Sequence, residues 1–153
     1  MFRPILATCF LLAAGAAMAC TRPDMAATRP DAVLAEVNSF RQSKGLHPLV
    51  ADGRLQAAAA EHACDSAEQG RMGHSGSDGS TLSDRVLREG YRYRTIAENV
   101  AMGYPDASAV TDGWAESRGH RRNMLMRDAE DAGVGVAADR NGRLHWVLVL
   151  GRD

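Results

Sequence analysis

The stretch Ala132-Gly133-Val134-Gly135-Val136-Ala137-Ala138, then Arg140-Asn141-Gly142-Arg143, then Leu144-His145-Trp146-Val147-Leu148-Val149-Leu150, carries the fold in its period. Two runs of strand-forming residues flank a polar segment containing Asn-Gly, which predicts an antiparallel hairpin because that dipeptide suits tight turns that match the strand twist. In the second run Leu144, Trp146, Leu148 and Leu150 fall on one face, and Val147 and Val149 on the other. A strand apolar on both faces is covered on both. Helices elsewhere in the chain must supply that cover, so the expectation is an α+β protein, a three-layer α-β-α sandwich with a central antiparallel sheet.

Working outward, the upstream sequence supplies the helices. Pro30 and Asp31 suit a first helical turn, where a missing N–H costs nothing and a carboxylate meets the positive end of the helix dipole. Val33, Leu34, Val37 and Phe40 recur at helical spacing until Lys44-Gly45 ends the helix. After an extended connector at 46–50, Asp52 reads as the N-cap of a helix over 53–69. Leu55, Ala58, Ala59, His62, Ala63 and Ser66 share one face of it, and so many alanines imply close packing against another element. A Gly- and Ser-rich loop at 70–80 carries His74. Thr81 and Asp84 then read as a capped helix start, with Val86 and Leu87 as its apolar side and Gly90 as its stop. A short apolar segment at 96–102 holds Glu98, and a further helix over 107–118 buries Val110 and Trp114.

Composition narrows the function classes. Eighteen basic residues against 19 acidic ones give a formal charge of −1, which offers no electrostatic footprint for nucleic acid. Arg3, an apolar run over 5–17 and Ala17-Met18-Ala19 before Cys20 read as a secretory signal, too short for a membrane span. The expected division is a signal peptide at 1–19, a tether at 20–30 and one domain at 31–153. Cys20 follows a small residue, as a lipid acceptor does, so lipidated Cys20 anchoring the domain to a membrane is the first reading of localisation and soluble export the second. In an exported protein Cys20 and Cys64 could pair, whereas lipidation of Cys20 would leave Cys64 a lone thiol; Cys64 reads as a small semi-buried helix residue rather than a catalytic thiol, since no basic or His-bearing motif sits beside it.

The chemistry-bearing residues lie in the second half: His74-Ser75, Glu98-Asn99-Val100-Ala101, and Trp114 to Asn123 with Ser117 and Gly119-His120-Arg121 between them. With Gly133-Val134-Gly135-Val136 after them, these motifs resemble, in order and wording, the CAP superfamily of cysteine-rich secretory, venom antigen and pathogenesis-related proteins, specifically its bacterial SCP-like branch. The resemblance runs over about 34–151 and implies the same α-β-α sandwich. It also implies a cleft lined by two His and two Glu. His74 matches the first His, Glu98 the first Glu and His120 the second His, while the position of the second Glu holds Ser117. Neighbouring Glu116 does not substitute: at about 100° per residue Ser117 lies roughly 60° around a helix from Trp114 and Glu116 roughly 160° away. Glu116 is therefore expected in solvent, and the cleft is expected to comprise His74, Glu98, Ser117 and His120.

Two neutral imidazoles, His74 and His120, suit a metal such as zinc, with Glu98 holding one ring through its second N–H or acting as general base on a bound water. Three functions stay open: a cleft for a metal ion or a small polar or lipidic envelope ligand, a metal-assisted hydrolase of peptide or cell-wall material, and a non-catalytic interaction module. Hydrolysis ranks behind ligand binding, because neither a nucleophile-base pair nor a three-ligand metal motif is legible. Of the other histidines, His47 reads as a surface residue, His62 as a hydrogen-bonded core residue and His145 as packed on its strand.

Overall fold

The computed structural model describes residues 29–153. The expected signal peptide at 1–19, Cys20 and most of the expected tether lie outside the described residues. Five helices and four strands follow in the order α1 Pro30–Ser43, β1 Val50–Ala51, α2 Gly53–Gln69, α3 Leu82–Arg88, β2 Thr95–Met102, α4 Ala107–Glu116, α5 Arg118–Met124, β3 Asp131–Ala138 and β4 Leu144–Arg152.

The hairpin of β3 and β4 forms the middle of a sheet ordered β1-β3-β4-β2, with β2 antiparallel to β4 on one edge. The turn is longer than a two-residue Asn-Gly connection. Asp139 accepts from the backbone N–H groups of Asn141 and Arg143, and Gly142 alone takes a positive φ of 76°. β1 corrects the expectation of a wholly antiparallel sheet: Val50 and Ala51 pair parallel with Asp131 and Ala132. That connector is straightened by its neighbour on β3 and not by its own period.

The alternation along β4 places the layers as expected. Trp146, Leu148 and Leu150 join Val33, Val37, Val110 and Trp114 in a core under α1 and α4, whereas Val147 and Val149 join Leu55, Ala58, Ala59 and Val86 under α2 and α3. Burial of such aliphatic and aromatic side chains stabilises by about 1.5–3 kcal/mol each. The element packed on the alanines of α2 is β3. A Cβ on Gly133 or Gly135 would stand 2.1 Å from the Leu55 carbonyl carbon or 2.0 Å from the Ala59 oxygen, so only bare backbone fits this seam.

Local signals set the ends of the helices. Asp52 accepts from the N–H groups of Arg54 and Leu55, and Thr81 with Asp84 forms a reciprocal capping box. α3 turns differently from its sequence reading: Arg85 and Val86 are buried, and Leu87 is half exposed. A charged residue can face inward there because a carboxylate waits for it. The helix predicted over 107–118 ends at Glu116, and a fresh one begins at Arg118 with Ser117 extended between them. The apolar segment 96–102 is the edge strand β2, whose ends are partly exposed.

Buried Arg41 fixes the chain between α5 and β3. Its guanidinium donates to the carbonyls of His47, Met124, Met126 and Ala129. Burial lowers its pKa, since the charge gives up water for dipoles alone.

Candidate functional site

The candidate site is built over β2, the edge strand, whose alternate residues point into different helical layers. Glu98 pairs with Val149 and points, as Val149 does, toward α2 and α3; Asn99 pairs with Leu148 and points toward α4 and α5. One dipeptide therefore reaches both sides of the sandwich.

Glu98 is the hub, with its side chain 2% exposed. Its Oε2 accepts from Arg85 at 2.6 Å and its Oε1 from His74 Nδ1 at 2.8 Å. The same guanidinium donates to the backbone carbonyls of His74 and Ser80, so it fixes the loop that carries His74. A carboxylate in this position only accepts, which makes Nδ1 of His74 the donor and leaves Nε2 with its lone pair. The His74 ring is 63% exposed, so that lone pair is open to solvent. His62 donates from Nε2 to the Gly73 carbonyl at 2.8 Å, with Glu98 Oε2 4.0 Å away. It is the hydrogen-bonded core histidine that its place on α2 predicted.

The other wall is held by amides. Asn99 donates to the His120 carbonyl at 3.0 Å, and Asn123 donates to both the Glu98 carbonyl and Asn99 Oδ1. These bonds tie α5 to the sheet edge and occupy a strand carbonyl that would otherwise lack a partner. The His120 imidazole is half-buried, and burial first, then the charge of His74, lowers its pKa. Both causes favour the neutral form of the ring.

The structure thus brings His74 and Glu98 into direct contact and His120 within electrostatic reach of His74. Ser117 is half-buried at the break between α4 and α5, and among the described residues its hydroxyl forms no hydrogen bond to the other three. Glu116 is exposed, as the helical angle requires. Cys64 is half-buried on α2, and its sulfur is engaged in a disulfide, so it is not a lone thiol. His145 is packed at 0% exposure, with Nε2 3.7 Å from the Asp139 carboxylate, beyond hydrogen-bond reach.

Arg85 and the Asn99–Asn123 pair had no assigned role in the sequence reading. Arg85 carried a weak signal: its capping box fixes the start of α3, and counting from there puts residue 85 beside Val86 on the inner side. Nothing local distinguishes a buried cation from a solvated one. Asn123 lay inside a quoted motif but needs the tertiary structure to find its partners.

A family model, the cysteine-rich secretory protein family, matches residues 34–150, a span that includes the hub, both imidazoles and both amides. The chain belongs to this family. Among curated relatives it is similar to an uncharacterized protein, YkwD, of Bacillus subtilis, 32% identical over 98 residues that make up 64% of this chain and 38% of the relative. It also resembles an uncharacterized membrane protein, YlbC, of the same organism, 34% identical over 68% of this chain and 30% of the relative. The chain spans about a third of the length of these relatives. Among solved structures, an extracellular SCP-domain protein from Bacillus anthracis superposes with a TM-score of 0.72 at 25% identity, over 81% of this chain and 40% of that one. An outer surface protein from Borrelia burgdorferi superposes with the same TM-score at 21% identity, over 80% of this chain and 90% of that one, a likeness of fold.

Proposed function

We propose that this domain is an exported ligand-binding module, whose cleft takes a metal ion through His74 and His120. The observation that carries the reading is the Glu98–His74 bond. It orients one ring and turns its free nitrogen outward, the carboxylate–histidine arrangement that raises an imidazole's basicity toward a metal. The donor chemistry fits zinc: both nitrogens are borderline-soft, and the lowered pKa of His120 keeps it in the neutral form that ligates. Among the described residues no group of three His, Cys, Asp or Glu side chains stands ready for a metal. Water or an envelope ligand with a polar head would complete the sphere, and affinity should be modest.

Catalysis finds less support. Both oxygens of Glu98 are engaged, one by Arg85 and one by His74, which suits holding an imidazole more than abstracting a proton. The test is calorimetry with zinc on the wild type and on His74→Ala and His120→Ala. Each variant is expected to lose most of the heat. Binding unchanged in both would rule out the pair.

For localisation, the export signal and the extracellular or surface neighbours support export, and a lipid on Cys20 is the proposed anchor. The Cys64 disulfide bears against that anchor. In a chain starting at Cys20, residue 20 would be its only intramolecular cysteine partner, and a sulfur in a thioether to lipid cannot also form a disulfide.

A further inference from the structure

The charges around the two imidazoles point to what a bound metal would still need. Glu98 is the carboxylate of the site, and its charge is already met by the Arg85 guanidinium 2.6 Å away, in a pair that is 2% and 3% exposed. His74 and His120 offer neutral nitrogens. Among the described residues no third His, Cys, Asp or Glu stands with them as a ready ligand. A Zn²⁺ held there would keep both of its charges and leave positions to a ligand from outside the chain.

The helix that carries His120 adds to the imbalance. Residues 116–122 hold Arg118, Arg121 and Arg122 against a single acid, Glu116. All three arginines are exposed, and among the described residues none forms an ion pair. Buried Met124 and the Asn123 amide hold the other side of α5 to the protein. At about 100° per residue, Arg121 lies roughly 100° around the helix from His120, and Arg118 and Arg122 roughly 160°. Their summed field raises the local concentration of anions at this end of the domain.

We propose that the ligand completing the site is a phosphate monoester, an inference that rests on metal binding through His74 and His120. At neutral pH such a head carries close to two negative charges, the number that a Zn²⁺ on two neutral imidazoles leaves uncompensated. Its remaining oxygens accept from guanidinium groups, and Arg121 is the nearest of the three to His120 around the helix. A carboxylate supplies one charge, and a neutral polar head none. The same chemistry is found on a soluble phosphate ester and on a phosphatidic acid headgroup.

The test is calorimetry of zinc with the full domain at neutral pH and matched ionic strength, in glycerol 3-phosphate, in acetate and in glycerol. Zinc should bind about tenfold more tightly with glycerol 3-phosphate than with the other two, since ligands that favour each other's binding do so reciprocally. A variant combining Arg118→Gln, Arg121→Gln and Arg122→Gln should melt as the wild type does and bind zinc in glycerol equally well. Its gain from glycerol 3-phosphate should fall about fivefold, the scale of exposed ion pairs. Zinc-dependent cosedimentation with vesicles of phosphatidic acid in phosphatidylcholine assigns a lipid source, and a gain with glycerol 3-phosphate alone assigns a soluble one; both support the proposal. Equal zinc affinity in the three solutes, or a full gain in the triple variant, would overturn the phosphate assignment and leave the metal reading standing. Zinc that binds in none of them would overturn both.

Discussion

Truncating Glu98 to Ala should be among the most damaging single changes in this domain. The substitution removes a carboxylate whose side chain is 2% exposed and leaves the Arg85 guanidinium, 3% exposed, with only the carbonyls of His74 and Ser80. Breaking a buried pair by removing one partner costs about 3–5 kcal/mol, because an uncompensated charge remains. Losing the His74 bond adds little, since that ring can turn to water. Against a domain stability of about 5–15 kcal/mol, the change consumes a large fraction. Urea unfolding, read as the difference in midpoint at constant slope, measures it directly. Glu116→Ala, at an exposed position, should change stability by less than about 0.5 kcal/mol. The double variant Glu98→Leu with Arg85→Met removes both charges and should be milder than Glu98→Ala alone. A Glu98→Ala protein as stable as Glu116→Ala, or a double variant worse than the single one, would refute the buried-pair reasoning.

Three further outcomes follow from the same geometry. Burial lowers the pKa of His145, with the nearby Asp139 carboxylate opposing it, so the folded state disfavours a proton that the unfolded chain accepts near 6.5. Stability should be full above about pH 6.5 and fall as pH drops below it; melts at two pH values check this, and His145→Leu should flatten that part of the curve. Gly135→Ala should cost about 1–3 kcal/mol in thermal melts by pushing α2 off β3, whereas Gly119→Ala, whose Cβ meets nothing within 4 Å, should cost nothing. Intact mass spectrometry of the mature protein should find lipid on Cys20 and release from membranes in Cys20→Ser; a 2-dalton gain on reduction of an unlipidated chain would replace the anchor with a Cys20–Cys64 disulfide.

How much was legible in the sequence depends on whether the signal was local. The α-β-α layering could be read from β4 because side chains alternate strictly along a strand covered on both faces, and the core split of Trp146 and Leu148 from Val147 and Val149 follows that alternation. Capped helices were equally legible at Asp52 and Thr81, where a few adjacent residues satisfy each other. β1 was not, because two residues have no period and are ordered by Asp131 and Ala132 across the sheet. The break at Ser117 was missed because the apolar spacing of α4 says where a face lies and not where the helix stops. For the site, motif order found His74, Glu98 and His120. The residues that hold them, Arg85 from α3 and Asn123 from α5, act across 13 and 25 positions of sequence, a distance at which polar residues carry no readable pattern.

The central claim is that Glu98 fixes His74 with its Nδ1 protonated and its Nε2 presented to a ligand beside His120. Nitrogen-15 NMR of the histidine rings, recorded at neutral pH without and with zinc, tests it most directly. The account predicts that free His74 carries its proton on Nδ1, and that zinc shifts Nε2 of His74 together with one ring nitrogen of His120 while His62 stays unmoved. A free His74 protonated on Nε2, or zinc that leaves both cleft rings unchanged, would contradict it.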